Sequence, residues 1–307
     1  MITSIFSKSK PINFIIVFFI IGITCLFSFF KLQNNQISFN SILICIALFI
    51  GSYFSMLIVN FVSTKNRLTQ TNNFEIILYG LFLLMVPQTT DSLWITLANV
   101  FLLLSIRRLI SLRSQKNIKK KLFDAAFWIT IAMVCYFWAA LFFLLVPVAI
   151  FLYTENKLRN WLIPITAIIS VLLISYCTSF LVEYDLLAHL SRKSKISFDF
   201  SVYNTIQFLV ALTVLFSFGL WSFLFYIKNI NSKKKALRPA LYIIIWTLVL
   251  SFIILVIAPK KTGVEFLFIF APLAIVISNY VEIIKEKWFK EVFFSILFLV
   301  PFVLLFL

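Results

Sequence analysis

The charged side chains that could do chemistry are few, since charged residues make up 12% of the chain. Those of mixed sign outside the evident cytoplasmic connectors gather in two places. The first is "VEYDLLAHLSRKSKISFDFSVYNT", Val182 to Thr205. An acid beside a basic run is what a phosphorylated, lipid-borne substrate needs: Arg192, Lys193 and Lys195 to hold the phosphate, and Asp185 or Glu183 as base or orienting group. If the first part is helical, Asp185 and His189 share a face at i,i+4 spacing. The second place is "APKKTGVEF", where Lys260 and Lys261 extend the set of phosphate contacts. Lys261 and Glu265 are also i,i+4 and can form an ion pair at the edge of the site. Each group has a plainer reading, because loop acids are commonly just solvated and lysines at a membrane edge can snorkel and cap the bundle.

Other chemistries lack the residues they require. His189 is the single histidine, so it has no second imidazole with which to share a metal, and no metal site is expected. Cys25, Cys45, Cys135 and Cys177 fall singly in apolar runs and read as small core hydrophobes. The chain has no GxxxxGK[ST], GxGxxG, HExxH or GxSxG, so nucleotide-driven and zinc-dependent mechanisms have nothing to rest on and no cofactor is expected. A formal charge of +16 invites a nucleic-acid partner, but the basic residues sit in short connectors between apolar runs, where membrane topology accounts for them.

The elements that must position these charges are membrane helices. A 307-residue chain that is 62% hydrophobic with 38 phenylalanines and a mean hydropathy of +1.05 has too little polar surface for a water-soluble globule. Runs such as "VFFSILFLVPFVLLFL" do not alternate, which excludes a β-barrel. Ten apolar runs are visible, beginning with a retained first span at Pro11 to Phe30. The run Ala125 to Tyr153 is too long for one straight crossing of a hydrocarbon core about 30 Å thick. Connector charge decides how it is used. If it crosses twice as a short hairpin, the connectors after it place ten lysines and arginines inside and five outside, whereas a single crossing reverses this.

The expected fold is therefore all-α: one transmembrane bundle over residues 1–307 with about 11 spans, a cytoplasmic N-terminus and a periplasmic C-terminus. In that topology 21 of the 27 lysines and arginines are cytoplasmic. Residues 110–124 form a basic inner loop that anchors topology or meets a cytosolic partner or anionic lipid. Residues 183–205 form the long periplasmic loop. Asp91, in "PQTTDSLW", reads as an N-cap or first-turn acid. The seven tryptophans lie mostly near span ends, as an interfacial belt requires.

Part of this pattern resembles the GT-C type of polyprenyl-phosphate-sugar glycosyltransferases. The residues that carry the likeness are "NNFEIILYGLFLLMVPQTTDSLWITLANVFLLLSIRRL", the short hairpin in Ala125 to Tyr153, and "EFLFIFAPLAIVIS" with Phe270, Ala271 and Pro272. The likeness implies a helical bundle whose outer face meets a lipid-linked donor. One departure matters: such enzymes generally carry an acid in the first outer connection, and "KLQNNQISFN" has none. The chain as a whole also resembles function-unknown multi-spanning inner-membrane proteins of Flavobacterium-like bacteria.

Two functions follow. In one, a bacterial inner-membrane protein binds a lipid-linked phosphate or glycan, such as a polyprenyl phosphate, at its outer face, and glycosyl transfer would use Asp185 or Glu183. In the other, motivated by the missing acid, the chain is a non-catalytic subunit or scaffold of a cell-envelope or secretion complex. A transporter fits less well, because the chain has five glycines and no charge expected deep in a span.

Overall fold

The computed structural model describes residues 2–32, 38–154, 157–181, 196–259 and 261–306. Among them the chain is all-helical. Its elements are α1 (Ile2–Phe6), α2 (Pro11–Leu32), α3 (Phe39–Asn66), α4 (Phe74–Met85), α5 (Leu93–Ser111), α6 (Ile118–Cys135), α7 (Leu145–Tyr153), α8 (Leu158–Leu181), α9 (Ile206–Ile230), α10 (Arg238–Ile257), α11 (Leu267–Ile283) and α12 (Lys287–Leu304). Seven helical segments, containing α2, α3, α5, α8, α9, α10 and α11, are long and apolar enough to cross a membrane. The protein is a multi-pass helical membrane protein.

Hydrogen bonds and ring contacts sort the helix termini into two ends. At one, Asn73 donates its backbone N–H to Phe6, Asn279 donates to the Leu68 carbonyl, and Arg113 donates to the Asn66 carbonyl. At the other, Ser28 meets Asp91, Lys31 meets Gln207, and Gln207 meets the Leu304 carbonyl. Four of the 27 basic residues lie outside the described chain. All of the remaining 23 except Lys31 and Lys261 belong to the first, basic end.

The long apolar run does fold back on itself. α6 stops at Cys135, Tyr136 is extended, and a 3-10 stretch, Phe137–Leu144, leads into α7. Gln115 then donates to the Tyr153 carbonyl, which ties the return arm to the start of α6. The basic loop is shorter than expected. α5 continues to Ser111 and α6 begins at Ile118, because lysine and leucine are good helix formers and long lysine stems can lie along the helix while their ammonium groups stay wet.

Two helices form the centre. Every residue of α4 is buried, and so is α11 from Leu267 to Val281. Phe82 on α4 meets Phe270 on α11 with ring centroids 5.7 Å apart. At twelve residues, α4 is only about 18 Å long, so at the basic end the remaining depth is filled by α1 and residues 67–73. Phe294 closes that end between Phe6 and Phe74, at 6.1 and 5.4 Å. The outer helices instead turn apolar side chains outward, as Leu162, Ile169 and Leu173 of α8 do, which lipid accommodates.

Several polar groups inside the bundle are tied to backbone or to each other, as a low-dielectric interior favours, while the Glu75 carboxylate on α4 has no partner among the described residues. Asn99 on α5 donates to Ser55 on α3 at 3.3 Å and to Tyr79 on α4 at 3.2 Å, linking three helices. Pro272 has no N–H for the Phe268 carbonyl one turn earlier in α11. The Ser251 hydroxyl of α10 lies 2.9 Å from that oxygen and takes up the orphaned acceptor.

Candidate functional site

At the end opposite the basic one, three connections converge. The first is the turn between α4 and α5, where Pro87 at the first position of a short 3-10 segment ends α4 and leads to Asp91. The second is the hairpin apex, Cys135 to Trp138. The third joins α10 to α11, from Pro259 to Glu265. Together they line a cavity of about 570 Å³, within the size range of small-molecule sites. Trp94, Tyr136, Phe137 and Trp138 supply aromatic walls, and Asp91 and Glu265 supply carboxylates.

Glu265 is 2% exposed. Its carboxylate turns back on its own connection, accepting from Thr262 N–H at 3.2 Å and Gly263 N–H at 2.8 Å. That turn depends on Gly263, whose φ of 93° favours glycine and whose added Cβ would lie 2.6 Å from the Phe208 ring. Lys261 is 4% exposed, and its ammonium donates to the Leu255 and Val256 carbonyls at 2.7 and 2.6 Å. These are the unpaired carbonyls at the C-terminus of α10, where a cation also complements the helix dipole. The third ammonium proton has the Phe200 ring nearby, 4.9 Å from nitrogen to centroid. Burial draws the Lys261 ammonium below the ordinary lysine range, and Glu265 opposes that shift.

The expected Lys261–Glu265 ion pair is therefore not formed. Among the described residues the ion pair within 4 Å is Arg108–Asp124, at 3.1 Å. The i,i+4 argument assumed a continuous helix, whereas a glycine turn and a 3-10 segment, Val264–Phe266, separate the two residues. Each charge finds backbone partners instead.

Asp91 also departs from expectation. Ser92 occupies the N-cap position of α5 and makes no side-chain cap bond, while the Asp91 carboxylate accepts from the Ser28 hydroxyl across the gap to α2. Burial raises the Asp91 carboxyl above the ordinary aspartate range, and the Ser28 hydrogen bond and Lys31 charge pull it back. A part-buried carboxylate facing a cavity is suited to accept a proton or a ligand hydroxyl.

Two polar atoms near this end have no partner among the described residues: the Trp138 indole N–H and the Tyr203 hydroxyl. Tyr203 packs on Phe266 and Phe208 at 5.6 and 5.2 Å. Burial pushes its phenol further up, and the Glu265 charge adds to the effect.

Glu183, Asp185, Arg192, Lys193, Lys195 and Lys260 lie outside the described residues. The described part of their loop, 196–205, is coil with a short 3-10 turn at Ser201–Tyr203. Asp199 there accepts from the Ser201 N–H at 3.0 Å, which holds its carboxyl below the usual range. The sequence reading missed the cavity wall: Trp138 read as an interfacial residue and Asp91 as a cap. The available signal was an acid outside the basic connectors, eight residues before Asn99. Among the described residues no three metal-type side chains come together.

No protein-family model matches the sequence, no curated protein matches it, and no solved structure matches the fold.

Proposed function

We propose that this chain is a bacterial inner-membrane protein that receives the head group of a lipid-linked phosphate or glycan in the cavity at its outer end. The observation that carries this reading is the cavity itself: about 570 Å³, with aromatic walls and the Asp91 carboxylate at the terminus of a membrane bundle. Aromatic faces cover the apolar faces of sugar rings, and carboxylates accept their hydroxyl protons. In this reading the basic end faces the cytoplasm, the chain crosses about 11 times from a cytoplasmic N-terminus to a periplasmic C-terminus, and the cavity opens to the periplasm.

The phosphate contacts are assigned to Arg192, Lys193, Lys195 and Lys260, with Lys261 holding the connection they border. Glu183 and Asp185 keep their assignment as loop acids. Asp91 joins them as a candidate base, because it faces the cavity and because the first outer connection has no acid. The likeness to GT-C type glycosyltransferases rests on the residues that build this end: the Pro87 turn, the hairpin and the α11 segment.

The second reading is a non-catalytic subunit of an envelope complex. It is favoured by one observation: Glu265 and Lys261 are both committed to their own backbone.

Native mass spectrometry of the gently extracted protein tests the two. A co-purified polyprenyl-phosphate species that is lost in Asp91→Asn and in Trp138→Ala supports the cavity reading. Stoichiometric protein subunits without such a lipid support the scaffold.

A further inference from the structure

The geometry points to a second ligand site, unrelated to the cavity, that holds an anionic phospholipid in the leaflet at the basic end. Between α9 and α12 lies an apolar groove of about 270 Å³, walled by Phe218, Trp221, Phe289, Phe293 and Ile296, with Ser217 at its rim. The walls are rigid: Phe218 packs on Phe293 at 4.7 Å, and the Trp221 indole N–H donates to the Tyr280 hydroxyl at 2.7 Å. Trp221, Val292 and Ile296 remain exposed, so the groove faces out of the bundle.

Its dimensions select the occupant. Lining residues on α12 run from Phe289 to Ile296, a rise of about 10 Å, a third of a hydrocarbon core about 30 Å thick. A partner helix crossing the membrane would pack along about 30 Å, three times the length of the groove. A stretch of acyl chain fits. The head group is indicated by charge. On α9, Lys228 follows Trp221 by seven residues and so lies on the same face, two turns nearer the basic end. Lys285 lies just before α12, four residues ahead of Phe289, while Lys287, two residues ahead, starts the helix on the side away from the groove. All three lysines are exposed, against one exposed acid, Glu286. Trp288, 67% exposed beside Phe289, is the residue type that sits at the level of lipid head groups. A chain entering at Phe289 thus brings its phosphate to a net positive rim.

The test uses the full chain, purified and stripped of lipid, titrated by native mass spectrometry with palmitoyl-oleoyl phosphatidylglycerol and with the matching phosphatidylcholine. Phosphatidylglycerol should bind more tightly, and Lys228→Ala and Lys285→Ala should each weaken it about fivefold, with Lys287→Ala weaker in effect and phosphatidylcholine unchanged. Ser217→Phe, at an exposed rim position, should remove the phosphatidylglycerol adduct while thermal unfolding without lipid stays the same. Lys228→Glu, also exposed, keeps the test independent of folding. Equal titration by the two lipids, or phosphatidylglycerol binding that survives Lys228→Glu or Ser217→Phe, would overturn the assignment.

Discussion

The two ends of the bundle differ in charge and in how tightly they are closed. At the basic end most of the charges gather and the packing is closed, and several acids are partnered, though the buried Glu75 carboxylate has no partner among the described residues. Glu282 accepts from Gln70 N–H and Asn72, Glu291 from Thr3, and Arg108 pairs with Asp124, beneath a Phe6–Phe294–Phe74 plug. At the other end, charges are few, a cavity is open, and the Trp138 and Tyr203 donors have no partner among the described residues. Orphaned polar atoms occur at both ends, Glu75 and Thr69 at the basic one, so the difference lies in the empty volume, which costs packing free energy. Packed rings plug one end, and an open cavity remains at the other.

The largest expected effect is on the closed end. Phe294→Ala removes a fully buried ring and should lower stability by about 3–5 kcal/mol, read as a drop in the thermal midpoint in detergent. Little change there would break the contrast. Next is Gly263→Ala, the exception at the open end. Its positive φ and the clash with Phe208 should cost about 2–4 kcal/mol, and limited proteolysis should find the 258–266 connection newly cleavable.

Lys261→Met comes third. It leaves the terminal carbonyls of α10 without their donor and should cost about 1–3 kcal/mol; a variant as stable as wild type would show that the ammonium is not needed as a cap. The smallest effect concerns Asp91. Because burial raises its carboxyl in the folded state, the folded protein binds the proton more tightly, so stability falls as pH rises from the ordinary aspartate value through the raised one. Asp91→Asn should remove that decline, by less than about 1 kcal/mol given solvent screening at a part-exposed site. Glu265 and Glu282 also contribute to the pH dependence, so unfolding midpoints measured between pH 4 and 7 sharpen the comparison if the decline is shallower in this variant than in the wild type.

Much of the frame was legible in the residues. Each of the ten apolar runs expected falls on helix where the chain is described, and the longest of them turns back at Tyr136. Pro87 marked the end of α4, and the run of alanines and apolar residues in α6 gave no sign of where the chain would turn, so the apex at Tyr136 was not foreseen. The depth of α4 was equally hidden: α4 and α8 both read as apolar runs, yet one is fully buried and the other is largely turned outward. Apolar composition reports tolerance of a non-aqueous setting, and lipid and protein interior satisfy it alike.

What the amino-acid sequence determined by itself was therefore what depends on near neighbours: helices from long apolar runs, because an unpaired backbone is too costly in lipid, and a polarity of ends from the placement of lysine and arginine. What only the tertiary structure decided was which connections meet. Asp91 reaches Ser28 from 63 residues away, Glu265 turns from Lys261 to its own backbone, and the cavity exists because three turns far apart in the chain share one end. Spacing along a helix cannot encode such meetings, because they are set by how whole helices pack around α4 and α11.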